Sequence, residues 1–143
     1  EVITAYAEAY TIARVEASEI DEMDILNARM LAMQRAIDAL QVKPDMALID
    51  GNRDHGSRYA IEVPHLTIVG GDGKSASIAA ASILAKVARD RYVSRELHEQ
   101  YPEYQFAKHK GYGTKLHYEM LHTYGPCAAH RVTFLKKWEA RRK

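Results

Sequence analysis

The chain of 143 residues contains one cysteine, Cys127. That excludes an internal disulfide and fits a reducing, cytoplasmic setting. It has no uninterrupted apolar run of the ~18 residues that a membrane span requires, so no membrane partner is expected. Its first residues, "EVITAYAEAY", lack the basic start and long apolar stretch of a signal peptide. An initiator methionine is missing too, and the expectation is a chain that begins partway through a longer protein. Repeats, low-complexity tracts and Gly/Ser linkers are absent, so no boundary divides the sequence and residues 1–143 read as a single domain.

What remains is ordinary globular composition, 47% hydrophobic and 27% charged, with enough chain for a proper core. The net charge of +1 conceals an asymmetry. Residues 1–72 carry 6 Lys/Arg against 13 Asp/Glu, and residues 73–143 carry 14 against 6. A basic half suits a polyanion and an acidic half suits cations. A solvated surface whose charges merely segregate explains the pattern as well.

Hydrophobic periodicity organises the chain. "AYTIARVE" (9–16) reads as a β-strand. Ser18 and Asp21 mark a helix start, and apolar spacing from Ile20 to Leu40 predicts one amphipathic helix of about 22 residues, stopped before Pro44. "MALI" (46–49) reads as a strand covered on both faces, completing a right-handed βαβ unit. "HLTIVGGD" (65–72) supplies another strand, and residues 75–101 form one long helix with an Ala-rich half against the sheet, ended by Pro102. A basic loop (106–115), a short helix (116–124), a turn at Gly125–Pro126 and a basic tail follow. The class is α/β.

Asp50 and Asp72 each follow a buried apolar run. Ligands of open α/β sheets collect beyond the carboxyl ends of strands, so two aspartates there can converge on one crevice. Carboxylate pairs hold Mg²⁺, which prefers oxygen ligands and retains waters. Asp-Gly is equally a favoured turn pair, and residue pattern alone leaves both readings open. "GGDGKS" (70–75) is not a phosphate loop, because that motif requires glycine at position 68, which is Ile68. The helix start at Ser75 or Ser77 can still bind a phosphate.

"AKHKGYGTK" surrounds Tyr112 with Lys108, His109, Lys110 and Lys115. Cations interleaved with an aromatic ring suit nucleic acid, phosphates meeting the charges while a base or sugar stacks on the ring. The seven histidines lack metal-like spacing and read mostly as surface residues; His117 and His122, five apart, do not make a metal pair. Cys127 lacks the context of a nucleophile. Asp90, inside a helix, reads as paired with Arg89, Arg91 or a neighbour.

Together, "LIDGNR", "GGD", "AAASILAKVARD", "FAKHKGYGT" and "YGPCAAHRVTF" occur in an order and spacing that closely resembles bacterial ribonuclease HII, a type 2 ribonuclease H, over essentially the whole chain. The resemblance implies a ribonuclease-H-like mixed sheet flanked by helices, with a helical C-terminal region. It implies an Mg²⁺- or Mn²⁺-dependent endoribonuclease that cuts the RNA strand of RNA/DNA hybrids. It also implies nicking of duplex DNA on the 5′ side of embedded ribonucleotides, leaving 3′-hydroxyl and 5′-phosphate ends. Asp50 then corresponds to the metal-binding aspartate of the strand-end Asp-Gly motif. Asp72 corresponds to the fourth active-site carboxylate, preceded in the family by Lys-Gly and here by Gly70-Gly71. Tyr112 corresponds to the tyrosine that stacks on the sugar at the RNA–DNA junction. Ser82 and Lys86 fall in the helix motif that shapes the phosphate surface, and Lys110 belongs to the basic substrate face. The complete enzyme is expected to be a monomer.

One departure stands out. Members of that family begin with a strand bearing Asp-Glu followed by Val-Gly-Arg-Gly, and no such segment occurs here; the lone adjacent acid pair that invites comparison, Asp21-Glu22, lies on the predicted helix. The expectation is a C-terminal two-thirds of the family fold, without its N-terminal strands. Two aspartates under-neutralise the two ions an in-line displacement uses, which keeps open a second reading, a catalytically incomplete nucleic-acid-binding fragment. A receiver-like nucleotide-binding module around Asp50 is a third, but it leaves "HKGYGT" unexplained.

Overall fold

The computed structural model describes residues 1–136 and 138. It separates into two compact units, residues 1–85 and 86–143.

In the first unit, α1 (Val2–Tyr6) leads into an extended segment and then α2 (Ala17–Met23) and α3 (Ile25–Asp38). The single long helix expected here is broken at Asp24, whose φ of 77° no helix accommodates. The break is stabilised locally. Asp24 accepts from the Asn27 amide at 3.0 Å and so caps α3, while Glu16 and Glu19 form a reciprocal capping box on α2 in place of the expected Ser18 cap. The expected strand at 9–16 does not form; the segment joins no sheet. Its tie to α3 runs through side chains instead, with Thr11 Oγ1 donating to the Ala36 carbonyl at 2.6 Å. β-Branched residues favour a strand only where a neighbouring strand offers its edge, so the predicted βαβ unit does not form.

The sheet consists of β1 (Ala47–Asp50) and β2 (His65–Ile68), which run parallel with Ala47 opposite His65 and Asp50 opposite Ile68. Ile49 turns inward onto Met30 and Ile61, with Leu26, Met33, Ile37 and Tyr59 around them. The chain between the strands is pinned to α3, where Asn27 Oδ1 accepts from Ser57 Oγ at 2.8 Å and from the Arg58 amide at 2.9 Å. The strands are not covered on both faces, because α3 shields one only; Leu48 is 41% and Leu66 54% exposed. An apolar groove runs along β1, lined on one side by Ala32, Met33, Ala36 and Ile37 of α3 and on the other by the first half of α4 (Ala76–Tyr92), whose alanines border the groove.

In the second unit the long helix continues beyond Tyr92 through a π-turn at Val93–Leu97 and a last turn, α5 (His98–Gln100). Pro102 ends it as expected and opens a 3₁₀ turn, Pro102–Tyr104. The predicted basic loop begins as a short helix, α6 (Phe106–His109), because Phe106 and His109 are both buried. Thr114 then caps α7 (Lys115–Tyr124) through the His117 amide at 3.3 Å. Val93, Tyr104, Phe106, Leu121 and Trp138 form the core of this unit. Full burial of a Phe or Leu side chain contributes about 1.5–3 kcal/mol. Tyr104 stacks on Phe106 at 5.6 Å and donates its hydroxyl to the Gly125 carbonyl at 2.6 Å. Lys136 belongs to the basic tail, and the rest of that tail, residues 137 and 139–143, lies outside the described residues.

Candidate active site

Asp50 closes β1. Beyond it Gly51 takes φ 122° and still donates to the Ile68 carbonyl at 3.0 Å, so the ladder continues one residue past the strand. The Asp50 carboxylate points at the turn after β2, where its Oδ1 accepts from the Gly71 amide at 2.9 Å. A side chain at position 71 would put its Cβ 2.6 Å from Ile78 Cδ1 and 3.4 Å from Asp50 Oδ1, which explains the glycine. Asp72 follows immediately in the 3₁₀ turn Gly71–Gly73 and accepts from the Gly73 amide at 2.9 Å. The two strand-end aspartates are thus neighbours through Gly71, and both are exposed. Asp50 also lines the apolar groove, about 830 Å³ in volume, together with Ser82, Ile12, Met33, Leu48 and Leu84. Asp72 is not among the lining residues.

Exposed carboxylate oxygens are the donors that Mg²⁺ and Mn²⁺ accept. The fit is partial. Among the described residues no group of three or more His, Cys, Asp or Glu side chains is placed to hold an ion.

The second unit carries the other candidates. Tyr112 is 44% exposed, yet its hydroxyl is held on both sides. It accepts from Lys86 Nζ at 2.7 Å and donates to Asp90 Oδ1 at 3.1 Å. The Arg89 guanidinium lies 4.9 Å from the ring centre and Lys86 Nζ 5.1 Å from it. Asp90 also meets Arg89 at 3.3 Å and Lys110 Nζ at 3.9 Å, and Arg89 donates to the Lys110 carbonyl. Burial raises the Asp90 carboxyl, but hydrogen bonds from Tyr112 and Arg89 and the charges of Lys86 and Lys110 outweigh it and hold it low. The bond to Tyr112 holds the Lys86 ammonium above its usual range. Three cations and one carboxylate around an exposed ring can bind phosphate while leaving a face for stacking.

Asp90 is paired with Arg89 as expected, but its bond to Tyr112 escaped the sequence. A clue was available, since Lys86 and Asp90 are four apart and share one helix face. The histidines require a larger correction. His109, His117 and His130 are buried, at 5%, 8% and 8% exposure; His109 stacks on His117, and His117 hydrogen-bonds His130. Their wide sequence separation hid this, although His109 and His117 flank the glycine-rich Tyr112 loop.

Parallel strands with carboxylates at their C-terminal ends define an α/β protein, and the fold is of the ribonuclease-H kind. It is similar to the crystal structure of the ribonuclease H2 from Pyrococcus horikoshii OT3, with a TM-score of 0.72 and 24% sequence identity over 98% of this chain and 72% of that one. The ribonuclease HII family model matches residues 1–138, and the chain belongs to that family. Ribonuclease HII of Caldicellulosiruptor bescii is 50% identical over 133 residues, which is 90% of this chain and 60% of the relative. That of Endomicrobium trichonymphae is 53% identical over 135 residues, 94% of this chain and 62% of the relative. The chain therefore spans about three-fifths of the length of these curated relatives. Among the described residues no helix is long and apolar enough to cross a membrane.

Proposed function

We propose that this chain is part of the single catalytic domain of a cytoplasmic, monomeric endoribonuclease. The enzyme cleaves the RNA strand of RNA/DNA hybrids and the 5′ side of ribonucleotides embedded in duplex DNA. The observation that supports it most is Asp50 at the carboxyl end of β1, bonded to the Gly71 amide that immediately precedes Asp72, in a chain of the ribonuclease HII family.

Asp50 and Asp72 would hold Mg²⁺ or Mn²⁺, which when bound activates water and stabilises the leaving 3′ oxygen, giving 3′-hydroxyl and 5′-phosphate ends. The Gly71 amide keeps Asp50 Oδ1 oriented and leaves Oδ2 available. Tyr112 stacks on the sugar at the RNA–DNA junction, its plane fixed by Lys86 and Asp90. In the second unit Lys86 and Lys110 meet backbone phosphates, and in the first Ser82, which lines the groove as Asp50 does, contacts the substrate.

In the full-length protein Asp50→Asn keeps the shape and removes a metal-binding charge. Cleavage of a hybrid should fall by about 10³-fold or more, with binding affinity within a factor of about two to three. Near-normal Mg²⁺-dependent turnover would sink the assignment. Tyr112→Ala should weaken cleavage at a single embedded ribonucleotide by about tenfold, the scale of one stacked base, and general hybrid cleavage much less. Equal losses on both substrates would contradict stacking at the junction.

The partial carboxylate set favours a second reading for the 143 residues taken alone, a nucleic-acid-binding fragment without turnover. Incubating this chain with Mg²⁺ and a duplex bearing one ribonucleotide separates the two: cleavage supports the first, binding without cleavage the second.

A further inference from the structure

The buried histidine cluster has no part in the proposed chemistry, yet two of its ring nitrogens bond the loop that carries Tyr112. The His109 and His117 rings stack at 4.3 Å, and the His117 and His130 ring centres lie 5.3 Å apart. Backbone partners decide where each proton sits. The Gly111 amide donates to His109 Nδ1 at 3.0 Å, so that nitrogen is bare and His109 donates from Nε2 to the Tyr104 carbonyl at 2.7 Å. His117 donates from Nδ1 to the Tyr112 carbonyl at 3.0 Å, leaving its own Nε2 bare. The Cys127 amide donates to His130 Nδ1 at 3.0 Å, so His130 carries its proton on Nε2 and donates it to His117 Nε2 at 3.0 Å. All six ring nitrogens are satisfied with one proton per ring. A second proton on any ring sets N–H against N–H, at Gly111 for His109, at His130 for His117, and at Cys127 for His130.

Two of these bonds bracket Tyr112. One takes the amide before it and the other takes its carbonyl. The loop needs such support, because Lys110 and Gly111 adopt consecutive left-handed conformations at φ 50° and 74°, and lysine does so at a cost. We propose that His109 and His117 are positioning residues for Tyr112, with His130 fixing the His117 tautomer, and that this support exists only while all three rings are neutral, so that acid releases the loop. Its consequence for cleavage rests on the reading of Tyr112 as the stacking residue; its structural content does not.

The surroundings oppose a charge on His117 and His130. Burial lowers His117, outweighing the raising effect of its bond to the Tyr112 carbonyl, and the charges of His109 and of Arg89 on α4 lower it further. Burial and the neighbouring His117 bring His130 down to about 4. The other titratable groups facing the rings are Tyr104 beside His130, Tyr118 beside His117, and Cys127, whose Sγ lies 3.1 Å from His130 Nδ1. The charge of Glu103 reaches Tyr104 and Cys127.

The test uses the 143-residue chain labelled with ¹⁵N. At neutral pH, imidazole spectra should show His117 protonated at Nδ1 and His109 and His130 at Nε2; any other set overturns the proposal. On acidification the Gly111 amide should lose its exchange protection as the rings titrate, while the fluorescence of Trp138 stays native. Retained protection with charged rings, or loss only together with the Trp138 signal, would refute a selective release. His117→Asn places an amide nitrogen near the Nδ1 position and should preserve the Gly111 and Tyr112 signals at neutral pH. His117→Leu should shift them and raise Gly111 exchange roughly fivefold, the value of one hydrogen bond. Identical spectra for a folded His117→Leu chain would refute the positioning role; if that variant does not fold, the acid titration of the unmodified chain decides. In the same series, binding to a hybrid with one RNA–DNA junction is compared with binding to plain DNA duplex. Tyr112→Ala without effect there defeats the stacking reading and leaves the loop result standing.

Discussion

Asp50 is held by one backbone amide, whereas Tyr112 is held by Lys86 and Asp90 at its hydroxyl, by Arg89 over its ring and by a histidine at its carbonyl. The same contrast runs through the two units. The first leaves Leu48, Leu66 and Ile83 exposed, and Asp50 on its groove gives only Oδ1 to the Gly71 amide. The second closes its own aromatic core and spends nearly every polar atom near Tyr112 on another. A ligand site for a hard cation gains from free oxygens that the ion itself will order. A stacking surface gains from being fixed beforehand, since a freely rotating ring must be ordered at the moment of binding.

That contrast can be broken at the core. Phe106→Ala should cost about 3–5 kcal/mol of the second unit's stability, read by denaturant unfolding followed at Trp138, the one tryptophan of the chain. Hydrogen exchange at Ile49 follows the first unit in the same sample. Equal loss of protection there would show that the two regions unfold as one. Acid sharpens the comparison next. Unfolded histidine takes up its proton near 6.5, and His130 in the folded chain stays neutral down to about 4. The unfolded state therefore binds more protons across that window, and stability falls as pH drops through it, by on the order of 2–3 kcal/mol. His130→Phe should flatten the pH dependence of the Trp138 transition; an unchanged slope would contradict neutral burial. Smallest is the α7 cap. Thr114→Ala should cost about 1 kcal/mol, and a change in midpoint below a few tenths would mean that the Thr114 bond of 3.3 Å contributes little.

The sequence disclosed β1, β2, α7 and the stop at Pro102, because each depends on local chemistry: an apolar run, an amphipathic stretch between glycines, a missing N–H. It located Asp50 at a strand end, whereas Asp72, expected to close the strand 65–72, lies in the turn beyond Ile68; only the family motifs raised either above a turn residue. The break at Asp24 was missed because apolar spacing runs unbroken through it. The segment 9–16 was misjudged because strand formation is decided by a partner, which propensity does not report. Least legible were His109, His117 and His130, whose meeting depends on α6, α7 and the 127–130 turn all folding against Phe106.

Cys127 gives this arrangement a practical use. Its thiol rests against His130, and burial raises it above the usual range, so little of the reactive thiolate exists at neutral pH. A thiol reagent should therefore react at a rate set by how often this turn opens. The modification rate becomes a clock for local opening, read from an unlabelled protein with nothing more than a mass spectrometer.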